Sequence, residues 1–177
     1  MSAWSPERYL AALRFAAEAH RGQTVPGTDL PYLMHVTSVA MEAMAACAAE
    51  PALDGDLAVL CALLHDTMED AGVSAATLGQ HFGAPVAAGV AALSKRPDLP
   101  KELKMRDSLE RIRAQPPAVW AVKLADRITN LQPPPKHWTA AKIAGYREEA
   151  GEILAALGAG SPFLALRLKA KIAAYGR

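Results

Sequence analysis

The stretch ALLHDTMEDAG, residues 62–72, decides the reading of this chain. His65, Asp66, Glu69 and Asp70 fall within six positions, directly after the apolar run Leu57–Leu64. A helix advances about 100° per residue, so a helix predicted over 54–70 stacks His65 over Glu69 and Asp66 over Asp70. Three carboxylates on one face repel one another, and burial sharpens the conflict. A divalent cation resolves it, because imidazole and carboxylate are both good ligands for such ions. A solvated helix end with an acidic tail is the other reading these four residues allow.

Two further stretches turn the balance toward a metal site. PYLMH, residues 31–35, puts His35 near the start of a helix, with Pro31 and Tyr32 fixing the entry. VKLADRITN, residues 122–130, sets Asp126 in an apolar context with Lys123, Arg127 and Asn130 close by. An isolated Asp there is costly unless ligated or paired, and an ion pair with Lys123 or Arg127 is the alternative to ligation.

Around these stretches nearly every segment reads helical. Ser5-Pro6 is an N-cap with a first-turn proline, and Tyr9, Leu10, Leu13 and Ala17 recur at helical spacing until Gly22. Residues 24–31 form a loop, and helices follow over 35–49, 54–70, a short piece after Ser74, and 84–94. RPDLPKE breaks the chain before a basic amphipathic helix at 101–114. Pro116-Pro117 opens a helix that ends near Asn130, ahead of Pro133-Pro134-Pro135, and helices at 139–157 and 162–174 close the chain. With no alternating pattern and no repeat, the expected fold is all-α, a single helical bundle spanning residues 1–177.

The composition agrees. At 177 residues, 51% hydrophobic and 21% charged, the chain can bury a full core and is not of the disordered class. No apolar run reaches membrane-span length, and MSAWSPERYL lacks the form of a signal peptide, so a cytoplasmic setting is the default expectation. Cys47 and Cys61 sit among alanines and leucines and read as small buried apolar residues. Net charge is +1, yet residues 1–94 hold 3 Lys/Arg against 10 Asp/Glu, and residues 95–147 hold 12 against 5. An acidic half suits a cation and a basic half suits a phosphate-bearing ligand, although charges that merely coat helix faces give the same count. Nucleic acid is not indicated, since the basic residues are not interleaved with aromatics.

Together these motifs resemble the HD-domain family, specifically the RelA/SpoT hydrolase domains and the small stand-alone alarmone hydrolases that remove the 3′-pyrophosphate of ppGpp. RFAAEAHRGQ (14–23), PYLMH, ALLHDTMED, HFGAPVAAGVAALSK (81–95) and VKLADRITNL (122–131) match the family's motifs in order over nearly the whole chain. The resemblance implies a helical bundle around one manganese-like divalent ion, with His35, His65, Asp66 and Asp126 as ligands. It implies Glu69 and Asp70 as the pair that orients and activates the attacking water. Asn130 matches a substrate contact, and Tyr146, eight residues after Trp138, matches a tyrosine near the nucleotide. The sequence departs from the family where substrate is held. Gln23-Thr24-Val25-Pro26 stands where a basic pair is usual, Gln132 replaces an arginine, and the PPPKHW connection is short.

Such a site fits phosphate-ester hydrolysis, in which a cation lowers the pKa of water and neutralises phosphoryl charge, and Glu69 or Asp70 accepts the proton. Lys123, Arg127, Lys142 and Arg147 are candidate phosphate contacts, His20 a supporting residue, and His81 and His137 surface residues. The basic segment 95–113 could fold over the pocket and make up for the missing pair. A nucleotide substrate is expected, ppGpp first, with NADPH 2′-phosphate or a nucleoside phosphate as alternatives and a non-catalytic metal-binding module as the reading outside enzymes. The oligomeric state, including a homodimer, is left open. Absence of HExxH excludes a zinc hydrolase of that type.

Overall fold

The computed structural model describes residues 4–176, and among them there are ten α-helices and no strand. They are α1 (Pro6–Ala19), α2 (Leu33–Ala49), α3 (Gly55–Leu64), α4 (Thr67–Ala71), α5 (Ala75–Phe82), α6 (Ala84–Leu93), α7 (Lys101–Arg113), α8 (Pro117–Asn130), α9 (Ala140–Leu157) and α10 (Pro162–Ala174). The starts follow from local chemistry. Ser5, Asp54, Ser74, Thr139 and Ser161 each accept a backbone N–H of the first turn through the side chain, and prolines open α1, α8 and α10. No helix among the described residues is long and apolar enough to cross a membrane.

Helix α3 is the axle of the bundle: Leu57 to Leu64 are all buried, with α2, α8, α1 and α6 packed around it. Helix α8 is buried at ten of its fourteen positions and packs on α2 and α3 as well as α10. Gly89 makes the crossing of α6 tight, since a Cβ there would lie 2.7 Å from Cys61 Sγ and 3.1 Å from Val119 Cγ2. Cys47 and Cys61 are buried free thiols, as expected, and burial pushes the Cys61 thiol up to about 12.

Two expectations need correction. In α1 the buried stripe is Ala12 and Ala16, flanked by half-buried Tyr9, Leu13 and Phe15, whereas Leu10 is 51% exposed and Ala17 is also exposed. Alanine one turn apart lets α1 approach α3 closely, and that contact turns Leu10 outward. The helix expected over 54–70 is broken at His65-Asp66. Asp66 adopts φ −98°, ψ −2°, and the Thr67 hydroxyl donates to the Leu64 carbonyl at 2.7 Å, replacing a main-chain bond. The Asp66–Asp70 relation survives, because Asp70 N–H donates to the Asp66 carbonyl at 2.8 Å. Gly72, at φ +68°, ends α4 in the left-handed region.

Candidate metal centre and cavity

Three helices deliver four side chains to one point. His35 lies in the first turn of α2, His65 and Asp66 form the break between α3 and α4, and Asp126 sits in the buried stretch of α8. His35 Nε2 is 3.3 Å from His65 Nε2, 3.6 Å from Asp66 Oδ2 and 3.5 Å from Asp126 Oδ1. His65 Nε2 is 2.8 Å from Asp66 Oδ2 and 3.9 Å from Asp126 Oδ1. Donors about 2.1 Å from a shared ion stand about 3.0–3.4 Å apart at square or tetrahedral angles; the ligand atoms of His35, His65 and Asp126 are grouped closely enough to hold one small cation, and Asp66 Oδ2 stands beside both imidazoles. His35, His65 and Asp126 are all buried.

The hydrogen bonds point the same way. His65 Nδ1 donates to the Ala62 carbonyl at 2.8 Å, which turns Nε2 toward the carboxylates. Burial works against charge on the His65 ring, but the Asp66 carboxylate outweighs it and lifts the imidazole to about 9. Burial would raise Asp66, yet His65 and the Tyr32 hydroxyl hold it at about 2. Asp126 is also buried, and Lys123, then His35 and His65, keep its carboxyl well below the usual range. The four groups therefore call for positive charge at their centre, supplied by a proton or a cation.

Around this point is a cavity of about 180 Å³ lined by all four, by Glu69, Asp70 and Asn130, and by Tyr32, Leu93, Lys95 and Lys123. Glu69 Oε2 accepts the Lys95 backbone N–H at 2.8 Å. Tyr32 donates its hydroxyl to Asp66 Oδ2 at 2.5 Å, with Asp70 Oδ2 at 3.3 Å. Burial, and then the Asp66 and Glu69 charges, raise the Asp70 carboxyl. His20 stands behind Tyr32, ring centroids 4.8 Å apart, with its Nδ1 2.8 Å from Gln23 Oε1.

The other residues singled out above have different surroundings. Lys123 Nζ pairs with Asp126 Oδ2 at 2.9 Å, and Asn130 Nδ2 donates to Asp126 Oδ1 at 2.5 Å, so both steady Asp126. The alternative of a Lys123 ion pair is thus realised alongside the metal-like cluster, while Arg127 takes no part in it. Arg127 is 4% exposed, pairs with Glu149, and lies over the Tyr146 ring at 4.3 Å. Lys142 lies 4.1 Å over Trp138, whose ring meets Tyr146 edge-on. Neither Arg127, Lys142 nor Tyr146 lines the cavity. His81 and His137 are exposed, as expected. The basic segment does not fold over the pocket as a whole. Arg106 pairs with Glu110, Arg111 with Asp107 and the carbonyls of 91, 92 and 94, and Lys95 alone of the segment reaches the cavity. Thr24 borders a neighbouring cleft of about 350 Å³ that shares Tyr32 with the cavity.

Sequence reasoning misses the Tyr32 hydroxyl, because PYLMH presents Tyr32 only as fixing the helix entry and its acceptor lies 34 residues away, and it includes Lys95 only as one member of the basic segment 95–113. The signal at Lys95 was its place at the end of the motif 81–95.

The model of the HD domain family matches residues 12–161. The MESH1 guanosine-3′,5′-bis(diphosphate) 3′-pyrophosphohydrolases of mouse and human are each 31% identical over 153 residues, 84% of this chain and 83% of theirs. The bacterial enzyme of the same activity from Aquifex aeolicus is 30% identical over 129 residues, 71% of this chain but 18% of its own length. A solved metazoan ortholog of SpoT, described as hydrolysing ppGpp, superposes with a TM-score of 0.81 at 24% identity, covering 96% of each chain, and so shares the fold.

Proposed function

Because the chain belongs to the HD domain family, we propose that it is a metal-dependent phosphohydrolase removing the 3′-pyrophosphate of ppGpp, to give GDP and pyrophosphate. One observation carries this reading. The cluster His35–His65–Asp66–Asp126 and the carboxylates Glu69 and Asp70 line one cavity. A divalent cation held by those four residues, with manganese as our choice, supplies Lewis acidity to phosphoryl oxygen and lowers the pKa of water. With the ion bound, Glu69 and Asp70 would be the residues that orient the attacking water and accept its proton. Glu69 is set for the task by the Lys95 N–H, and Asp70 by the Tyr32 hydroxyl. Asp126 is kept in place by Lys123 and Asn130. Asn130, on the cavity wall, is also the residue we assign to substrate, and Tyr146 stands one shell further out. We place the activity in a cytoplasmic setting and in one HD-type unit spanning residues 1–177.

The test is product identification on ppGpp, NADPH and nucleoside phosphates, with manganese added and the purified protein's metal content measured. Release of pyrophosphate from ppGpp at a rate well above the other substrates is the expected result. Fast turnover of NADPH or a nucleoside phosphate with ppGpp untouched moves the assignment to that substrate, and a silent panel on metal-loaded protein favours the non-catalytic module.

The loop after α1 bears on affinity. Thr24 is exposed and Val25 half-buried, and residues 24–31 of the loop carry no Lys or Arg. Each charge-assisted phosphate contact contributes about 1.5–3 kcal/mol. Thr24→Arg with Val25→Lys is therefore expected to lower KM for ppGpp by roughly 10²-fold and to change kcat little, since the cluster is untouched. A low-micromolar KM in the unmodified protein that the double substitution leaves alone would contradict this.

A further inference from the structure

We infer that Lys95 is the phosphate-binding, specificity-determining residue of this cavity, an inference that rests on the phosphohydrolase reading. The cavity wall is acidic: Asp66, Glu69, Asp70 and Asp126 all face it. A phosphate-bearing substrate meets repulsion there unless positive charge beyond one ion is at hand. Two residues with cationic side chains line the cavity, Lys95 and Lys123. The Lys123 ammonium is bound to Asp126 at 2.9 Å and is buried, so it is not available to substrate. Lys95 is half-buried and takes part in none of the ion pairs found among the described residues. Its neighbours are otherwise engaged, Arg96 with Asp98 and Arg111 with Asp107. Lys95 is therefore the cationic residue of this cavity's wall left without an ion-pair partner among the described residues, and the one available to receive a phosphate.

The backbone adds a second effect. Lys95 N–H holds Glu69 Oε2 at 2.8 Å. Substrate binding and placement of the water-handling carboxylate share one residue, its side chain for the first and its main chain for the second.

Side-chain substitution separates the two, because every variant keeps the N–H. Lys95→Gln is expected to raise KM for ppGpp and the dissociation constant of inorganic pyrophosphate by roughly 10- to 100-fold, the size of one charge-assisted contact. Metal content should be unchanged. Lys95→Arg should restore most of both affinities, and the salt dependence of pyrophosphate binding should be shallower in Lys95→Gln than in the unmodified protein. An unchanged KM and unchanged pyrophosphate affinity in Lys95→Gln overturn the inference, as does an equal loss in Lys95→Arg. The pyrophosphate titration, followed by calorimetry on manganese-loaded protein, does not depend on turnover. If the protein cleaves no ppGpp yet Lys95→Gln weakens pyrophosphate binding, the substrate assignment falls and the role of Lys95 stands.

Discussion

Asp66→Ala is expected to cost the protein its divalent ion and its turnover together, with kcat/KM down by at least about 10³-fold. Asp66 Oδ2 faces both imidazoles, 2.8 Å from His65 and 3.6 Å from His35, and it is the acceptor of the Tyr32 hydroxyl. Its removal takes away a ligand and leaves the hydroxyl of Tyr32 beside Asp70 alone, while His65 loses the carboxylate that favours a positive neighbour. Elemental analysis of dialysed protein beside a ppGpp assay reads both effects. Full metal occupancy in Asp66→Ala with activity gone would remove Asp66 from the ligand set.

Glu69→Gln should give the opposite pattern, metal kept and chemistry lost. The amide oxygen of Gln still accepts the Lys95 N–H, so the loop after α6 stays in place and only the charge and basicity disappear. A general-base contribution of the usual size predicts a fall in kcat of about 10²–10⁴-fold, with KM nearly constant. Steady-state kinetics and metal analysis on the same preparation test this. Metal lost to the same extent as in Asp66→Ala would make Glu69 a ligand, and near-normal kcat would leave Asp70 as the proton acceptor by itself.

Much of this molecule could be read before folding was considered, and the reasons are local. Ser5, Ser74, Thr139 and Ser161 announce helix starts through side chains that reach only three residues ahead, and a proline follows Ser5 and Ser161. The acidic motif after an apolar run and the lone Asp126 in an apolar context flagged the cluster, because burial makes such groups expensive without a counter-charge. The break at His65-Asp66 was not legible. It contains neither Gly nor Pro, and rests on Thr67 turning its hydroxyl onto Leu64, an option any threonine has and few take. The exposure of Leu10 was hidden as well, because the sequence shows that a face is apolar but not how close α3 will come. Lys123, Arg127 and Lys142 are alike in sequence as candidate phosphate contacts, the first two with an ion pair to Asp126 as the alternative. Lys123 and Lys142 find their partners, Asp126 and Trp138, within a turn of chain, whereas Arg127 takes Glu149 and Tyr146, which depends on how α8 and α9 meet.

The break between α3 and α4 divides the site mechanically. His65 is carried by an axle buried at every position but Asp56, whereas Glu69 and Asp70 ride on a five-residue helix whose outer face is in solvent. That short helix is fastened by few ties: the Tyr32 hydroxyl, the Gln23 amide on the Asp70 carbonyl, and the Lys95 N–H. Short segments with exposed main chain open locally at far lower free energy than a buried core helix. Amides of residues 68–71 should accordingly exchange with solvent deuterium well before those of 58–64, and equal protection of the two would show them moving as one body. The edge that carries Glu69 and Asp70 is thus expected to open first, while the His35–His65–Asp126 centre stays closed.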